Sequence, residues 1–175
     1  RTSGSIRNKM KERPVRLAAI AALACAALLL FGCAALPGSA APVVKIGVIA
    51  PFEGAGRPLG YAVLPGVKAV AAEANSNGAL GNARVTVVAF NDNLDPQTAA
   101  EQARALALDK DVVAVVGPFT QETADAVRPI LQAAGLRFEP VISADPLDED
   151  YSAEIAAAQE ATRAALNALT ARDAP

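Results

Sequence analysis

The sequence predicts a doubly wound α/β fold with a mainly parallel sheet, and two observations support this prediction. From Val43 onward, short apolar runs alternate with longer stretches in which apolar residues recur at helical spacing, the pattern of successive βαβ units. Two of the short runs, 85–90 and 112–116, are almost continuously apolar. Such runs are expected of strands that helices cover on both faces.

Four segments are predicted to form the strands: Val44–Ala50, Val85–Phe90, Val112–Val116 and Phe138–Ser143. The last segment contains Pro140. Because proline has no N–H group to donate to a neighbouring strand, this segment is predicted to lie at an edge of the sheet.

Three crossover helices are predicted between the strands, each with one apolar face. The faces consist of Val63, Val67, Val70 and Ala74; of Ala99, Ala103 and Leu106; and of Ala124, Val127, Leu131 and Ala134. Asp95 and Thr120 are predicted to cap the second and third helices, and Gly135 to end the third. A fourth, Ala-rich helix is predicted for Ser152–Arg172, after the acidic turn 148–150.

The composition excludes several kinds of chemistry. The chain has 175 residues, 53% of them hydrophobic, which is sufficient for one compact domain. It has no His and two Cys, so a Ser-His-Asp triad, a His-ligated zinc and a four-cysteine metal site are all excluded. Residues 33–175 carry ten Lys or Arg against seventeen Asp or Glu, a balance of −7. No nucleic-acid partner is expected, because phosphates would be repelled.

The N-terminal residues have the pattern of an export signal. An apolar run of fifteen residues, Leu17–Phe31, follows several basic residues and is short for a membrane-spanning helix. It ends in Gly32-Cys33, which resembles the bacterial lipobox. Residues 1–32 are therefore predicted to be upstream residues and a lipoprotein signal peptide. Residues 33–42 are predicted to be a lipidated Cys33 and a flexible tether that anchors the protein to the bacterial membrane, in the periplasm or at the cell surface. The alternative is that Cys33 is an ordinary cysteine.

Two loops that follow neighbouring predicted strands form the candidate binding site. Backbone N–H groups at the start of the third helix, with the Thr120 hydroxyl, are suited to a carboxylate. Ser143, Ala144 and Asp145 follow the fourth strand and are suited to an ammonium group. Thr120 is equally an ordinary cap, and Asp145 with Pro146 an ordinary turn. Neither loop pairs a nucleophile with a base, so no catalytic residue is predicted.

Neither a cofactor nor a metal is predicted. Gly54, Gly56 and Gly60 follow the first strand, but their spacing departs from the G-x-G-x-x-G dinucleotide fingerprint. The triplet 148–150 lacks the alternating ligands and the glycine of a calcium loop.

Several of these segments together resemble the first lobe of the type I periplasmic binding proteins, specifically the branched-chain amino acid (leucine/isoleucine/valine) receptors of ABC importers. The similar motifs are Lys45–Pro51, the glycine-rich loop, Gly66–Lys68, Ala71–Asn75, Phe90–Asn93 with Asp95-Pro96, and Val112–Pro118. The resemblance covers roughly Val44 to Pro146. It implies a three-layer, Rossmann-like lobe in which the two loops hold the carboxylate and amino groups of a solute. Its candidate ligand-binding residues are Thr120, Gln121, Ser143, Ala144 and Asp145.

Two features depart from that family. Gln121 and Asp145 replace residues that are usual at those positions, which leaves an amino acid or another small polar solute as the ligand. Glu160–Leu166 resembles a helix that follows the return of the chain from the second lobe. The resemblance therefore implies a solute-binding lobe at 43–147 and no second lobe. Residues 148–175 then form an acidic junction, around Leu147–Asp150, and a C-terminal helix.

The function expected from the sequence is that of an extracytoplasmic lipoprotein that binds branched-chain or other small amino acids and delivers them to an ABC permease, without catalysis. A second interpretation is a surface lipoprotein whose single lobe serves in sensing or protein contact. A third, an exported α/β enzyme, would require a nucleophile beside a base or a cluster of metal-binding carboxylates.

Overall fold

A four-stranded parallel sheet forms the centre of the structure, a computed structural model that describes residues 41–172. The strands are β1 (Val43–Ala50), β2 (Arg84–Asn91), β3 (Val112–Val116) and β4 (Arg137–Glu139). They lie in the order β2-β1-β3-β4, and every neighbouring pair is parallel. The predicted doubly wound α/β fold is therefore confirmed. The predicted signal peptide and Cys33 lie outside the described residues.

The two edge strands compare differently with their predictions. Helices cover both faces of β2 as predicted, since Val85 and Val87 pack in the layer of α1 and Val88 and Phe90 pack in the layer of α2, although its edge position leaves only Val85 fully buried. The predicted strand Phe138–Ser143 is wrong in its extent, since β4 ends at Glu139. Pro140 offers no N–H group with which to continue the ladder. Its predicted edge position is correct.

Four helices lie on the sheet in two pairs: α1 (Arg57–Ser76), α2 (Pro96–Leu108), α3 (Gln121–Ala133) and α4 (Ser152–Arg172). Helix α1 packs with α4, and α2 packs with α3. Side chains of β1 alternate between the two layers, as the period of a strand requires. Ile46 and Val48 are buried with α1 and α4, whereas Ile49 is buried with α2 and α3. The result is a three-layer arrangement.

The predicted caps are present. Asp95 Oδ1 accepts a hydrogen bond from Thr98 N at 2.7 Å, and Thr120 Oγ accepts one from Thr123 N at 3.3 Å. Gly135 follows α3 with a φ of +69°, the left-handed conformation that glycine adopts without strain. The prediction that Ala134 lies on the buried face of α3 is wrong, because the helix ends at Ala133 and Ala134 is exposed.

Helix α4 contributes to the same hydrophobic core as α1. Ala158 and Ala165 are fully buried, and Leu166 is nearly so. A Cβ atom at Gly66 of α1 would lie 3.2 Å from Gln159 Cγ and 3.3 Å from Ile155 Cγ2. The absence of a side chain at Gly66 therefore lets α4 lie close to α1, and this packing brings the first turn of α4 to the carboxyl edge of the sheet.

Candidate functional site

The loops after β3 and β4 lie side by side at the carboxyl edge of the sheet. Val141 N donates to Pro118 O at 3.2 Å, and Ser143 N donates to Phe119 O at 2.9 Å. Gly117 has a φ of +79°, and a Cβ atom there would lie 2.2 Å from Ile49 O. Only glycine allows this approach of the loop to β1. The structure thus brings the two predicted loops together.

The side chains of the first loop make local contacts. The Thr120 hydroxyl caps α3 and lies 2.8 Å from Thr123 Oγ1. Gln121 Nε2 donates to Asp125 Oδ1 at 2.9 Å on an exposed surface. The first N–H groups of a helix have no partner within the helix, and Thr120 satisfies only that of Thr123. The N–H groups of Gln121 and Glu122, at the positive end of the helix dipole, are the groups here that suit an anion.

The three predicted residues of the second loop have different surroundings. Ala144 and Asp145 are exposed. Asp145 Oδ1 accepts a hydrogen bond from Leu147 N at 2.9 Å, which is the local role expected of a turn residue. Ser143 is 8% exposed, and its hydroxyl donates to Glu154 Oε1 at 2.6 Å. Ser143 is therefore the inward-facing residue of the three.

Glu154 is a residue of this edge that sequence reasoning missed. It lies in the first turn of α4. Its Oε2 atom is buried and has no hydrogen-bond partner among the described residues. No local signal in the sequence indicates that Glu154 contacts Ser143, because this contact depends on how α4 packs on α1. The acidic residues that precede the helix are the only hint of negative charge at this place.

The connection between β4 and α4 is strongly acidic. It carries four carboxylates, at Asp145, Asp148, Glu149 and Asp150, and Glu154 follows in the first turn of α4. No Lys or Arg occurs between Arg137 and Arg163. Burial raises the pKa of the Tyr151 hydroxyl, and the carboxylates of Asp148, Asp145, Glu149 and Glu154 raise it further. The carboxyl edge near Ser143 therefore has a negative potential.

An exposed aromatic side chain and a cation lie at the start of α1, just after the loop that follows β1. Tyr61 is 55% exposed, and its ring meets that of Phe52 edge to face with centroids 5.8 Å apart. The guanidinium carbon of Arg57 lies 5.2 Å from the Tyr61 centroid, within the range of a cation–π contact. The loop between β1 and α1 is held against β2 by Asn91 Oδ1, which accepts from Phe52 N at 2.8 Å.

Asp92 is a buried acid between the ends of β1 and β2. The residue is fully buried, its Oδ1 accepts from Leu94 N at 3.1 Å, and its Oδ2 has no partner among the described residues. Burial raises its pKa to about 6. Because its side chain is closed off from the edge, Asp92 belongs to the interior and not to the candidate site.

Two cavities lie at the opposite, amino edge of the sheet. One has about 180 Å³ and lies between α1 and α4, near Ala79 and Asn167. The other has about 350 Å³ and lies near Gly135 and Leu169. Neither includes a predicted site residue. In the range 41–172, no group of three potential metal-ligating side chains converges, and no described helix combines the length and apolarity needed to cross a bilayer.

Comparison with known proteins identifies related chains. The sequence profile of a family described as periplasmic binding protein matches residues 43–171. No curated protein matches the sequence.

Three solved structures illustrate the similarity. A possible leucine/isoleucine/valine-binding protein from Rhodopirellula baltica is 28% identical with a TM-score of 0.52, over 56% of this chain and 27% of that one. The branched-chain amino acid transporter substrate-binding protein of Streptococcus pneumoniae, in complex with isoleucine, is 25% identical with a TM-score of 0.53, over 60% and 30%. A solute-binding protein from R. palustris, in complex with 4-hydroxybenzoate, is 26% identical with a TM-score of 0.52, over 58% and 27%. The chain therefore spans less than a third of the length of each of these proteins.

Proposed function

The chain belongs to the periplasmic binding protein family, and from that premise we propose that it is a solute-binding lobe of an extracytoplasmic ABC-importer receptor for a small amino acid. The observation that carries this proposal is the pairing of the loops after β3 and β4 at the carboxyl edge. Open α/β sheets bind their ligands at that edge.

The chemistry of the edge suits a zwitterion. The N–H groups of Gln121 and Glu122 offer donors to a carboxylate at the start of a helix. The acidic connection after β4 attracts a cation. The S. pneumoniae protein, which was crystallised with isoleucine, supports an amino acid as the solute. No step of bond making or breaking is part of the proposed function.

The proposal includes export and a lipid anchor at Cys33. The apolar run before Gly32-Cys33 and its resemblance to a lipobox support this part, and family membership supports an extracytoplasmic location. Metabolic labelling with a fatty acid in a bacterial host is expected to label the wild-type chain, whereas the variant Cys33→Ala stays unlabelled. Equal labelling of the two chains would contradict the anchor.

We also propose that Leu147–Asp150 joins two segments that a second lobe separates in longer receptors. The resemblance of Glu160–Leu166 to a later helix of those receptors supports this, as does the packing of α4 on α1. Contacts from a single lobe bury one side of a solute, so the affinity is expected to be weak compared with that of a closed two-lobe cleft.

A single-lobe lipoprotein that contacts another protein is the second candidate. The observation that favours it is that Thr120, Gln121, Ser143 and Asp145 all hydrogen-bond within the chain. Ile142 and Leu147, in contrast, are 47% and 55% exposed beside them.

A thermal-shift titration against the common L-amino acids separates the two functions. A ligand that binds only the folded chain raises the unfolding midpoint in a saturable manner. A saturable shift with one group of amino acids is the expected result. A cooperative transition that no amino acid shifts would contradict the solute-binding proposal and favour protein contact.

A further inference from the structure

The outer edge of β2 is long, regular and uncharged. β2 is the first strand in the order of the sheet, so one side of it has no neighbouring strand among the described residues. Its eight residues pair with β1 in one continuous register, and neither a charged residue nor a proline occurs between Arg84 and Asp92. Natural edge strands usually carry a charge, a proline or a bulge that prevents pairing with another chain. The edge of β2 has none of these three protections.

The opposite edge of the sheet, at β4, is protected. β4 has three residues, and two of them, Arg137 and Glu139, are charged. Pro140 follows directly and has no N–H group to donate to a further strand. The sheet therefore has one edge that resists pairing and one edge, at β2, that can accept another strand.

The hydrogen bonds at the two ends of β2 show which main-chain groups face outward. Arg84 N donates to Pro42 O at 2.7 Å, and Asp92 N donates to Ala50 O at 3.1 Å. Because alternate residues of a strand direct their N–H and C=O groups to opposite sides, the even-numbered residues of β2 face β1. The N–H and C=O groups of the odd-numbered residues therefore face away from the sheet.

The outward-facing groups differ in their partners. Asn75 of α1 binds both groups of Val85, since Asn75 Oδ1 accepts from Val85 N at 2.7 Å and Asn75 Nδ2 donates to Val85 O at 2.8 Å. A side chain thus closes that end of the edge. Val87 and Ala89 have no such partner within residues 41–172, and Ala89 is exposed. Their outward groups lie symmetrically on either side of Val88.

We propose that β2 pairs antiparallel with β2 of a second copy of this chain, about a two-fold axis at Val88, so that the two sheets become continuous. Val87 of each copy then exchanges two N–H···O hydrogen bonds with Ala89 of the other, as residues of a hydrogen-bonded antiparallel pair do. A two-fold axis uses the same surface of both copies, which closes the assembly at a dimer. The proposal is independent of solute binding, because β2 lies on the other side of β1 from β3 and β4.

The side chains of β2 suit a second copy of the same strand. Val87 packs in the layer of α1, whereas Val88 and Phe90 pack in the layer of α2. In the antiparallel register, Val88 lies opposite Val88 of the other copy, and Phe90 lies opposite Thr86. Cross-strand pairs between apolar, aromatic and β-branched side chains stabilise a sheet. These four side chains are only half-buried in a single copy, so pairing buries them further.

The charges at the ends of β2 favour the antiparallel orientation. Arg84 is exposed at the amino end of the strand. Glu53 is exposed at the carboxyl end, where its Oε2 atom lies 3.5 Å from Asn91 Nδ2. Antiparallel pairing brings Arg84 of each copy toward Glu53 of the other, whereas parallel pairing places like charges side by side. A second copy therefore supplies both an uncharged strand and complementary charges at its ends.

Sedimentation equilibrium of the chain over a range of concentrations tests the proposal. Nonionic detergent solubilises the apolar run Leu17–Phe31 equally in every variant. A monomer–dimer equilibrium is expected. Ala89→Pro removes an outward N–H group and leaves the donors to β1 in place, so the dimer loses two hydrogen bonds and its dissociation constant is expected to rise about tenfold. Ala89→Val keeps the N–H group and suits a strand. It is the matched control and is expected to stay close to the wild type.

Hydrogen exchange of the unaltered chain locates the contact and needs no variant, so it decides the question even if Ala89→Pro fails to fold. The amides of Val87 and Ala89 are expected to become protected as the concentration of the chain rises. The amide of Val88, which faces β1, is expected to be protected throughout. A dimer in which Val87 and Ala89 exchange freely, a dimer that folded Ala89→Pro leaves unchanged, or an assembly larger than a dimer would overturn the proposal. A chain that stays monomeric would also contradict it, and would leave this edge to an extended segment of another protein.

Discussion

At the scale of single residues, Asp92 links the pH of the medium to stability. Its pKa is raised from 3.8 to about 6 by burial, so between about pH 4 and pH 6 the folded chain holds a proton on Asp92 that the unfolded chain has released. Stability is therefore highest below about pH 4 as far as this group is concerned, and it falls as the pH rises to about 6. Two pKa units correspond to roughly 3 kcal/mol.

Asp92→Asn tests this linkage. The amide keeps the acceptor for Leu94 N and removes the buried charge, so the variant is expected to unfold at a higher temperature than the wild type at pH 7.5. The gain is expected to shrink toward zero at pH 4. Melting curves at both pH values measure it, with Asp148→Asn at an exposed position as the control. An equal effect of Asp92→Asn at the two pH values would contradict the linkage.

Thr120 provides a second prediction at this scale. Its hydroxyl caps α3, and removal of such a cap typically costs about 1 kcal/mol. Thr120→Ala is expected to lower the free energy of unfolding by about that amount in urea, whereas Thr120→Ser keeps the oxygen and is expected to stay close to the wild type. Loss of the same stability in both variants would show that the methyl group, and not the cap, is responsible.

The sequence predicts these caps but not the partner of Ser143. A cap depends on residues three positions apart, so Asp95 and Thr120 are recognisable from local spacing. The Ser143–Glu154 contact depends on the docking of a helix that begins nine residues after Ser143. Local patterns contain no information on such docking, and this is why Glu154 escaped prediction.

At the scale of elements, two glycines of α1 differ in how well their positions accommodate a side chain. A Cβ atom at Gly60 would lie 2.3 Å from Pro51 O, a backbone atom that cannot move without shifting β1. A Cβ atom at Gly66 would meet Gln159 and Ile155 side-chain atoms at 3.2 to 3.3 Å. The side chains of Gln159 and Ile155 are flexible and can move by the few tenths of an ångström that such a contact requires. The start of α1 is therefore more constrained than its middle.

The matched variants Gly60→Ala and Gly66→Ala measure this difference. Gly60→Ala is expected to lower the free energy of unfolding by about 1–3 kcal/mol, as overpacking does. Gly66→Ala is expected to be close to neutral, because the helix propensity of alanine offsets the tight contact. Urea unfolding compares the two. A greater loss in Gly66→Ala would show that the α1–α4 contact, and not the approach to β1, is the tighter one.

The helices were more accurately predicted than the edge strands, and the reason is physical. The apolar face that a helix buries can be recognised from the spacing of its own residues. The predicted helix Ser152–Arg172 accordingly has the same bounds in the structure. A strand depends on its neighbours, and the apolar run of β2 does not reveal that it lies at an edge. After Pro140, isolated hydrogen bonds of Val141 and Ser143 replace the ladder.

At the scale of the whole molecule, the order of the strands places the candidate site. Because all four strands are parallel, the loops that follow them share the carboxyl edge, and the order β2-β1-β3-β4 sets the loops after β1, β3 and β4 side by side there. The βαβ pattern predicted this edge as the place of binding. The contact of Glu154 with Ser143 at this edge depends on the packing of α4, and the alternation of strands and helices does not contain that information.

The most direct test of the account is to map solute binding residue by residue in a ¹⁵N-labelled sample titrated with L-leucine. Saturable shifts are expected for the amides of Gln121, Glu122, Ala144, Asp145 and Glu154, at the carboxyl edge. Shifts confined to residues that line the amino-edge cavities, such as Ala79 and Asn167, would contradict the proposed site. The absence of any saturable shift with leucine or other amino acids would contradict solute binding itself.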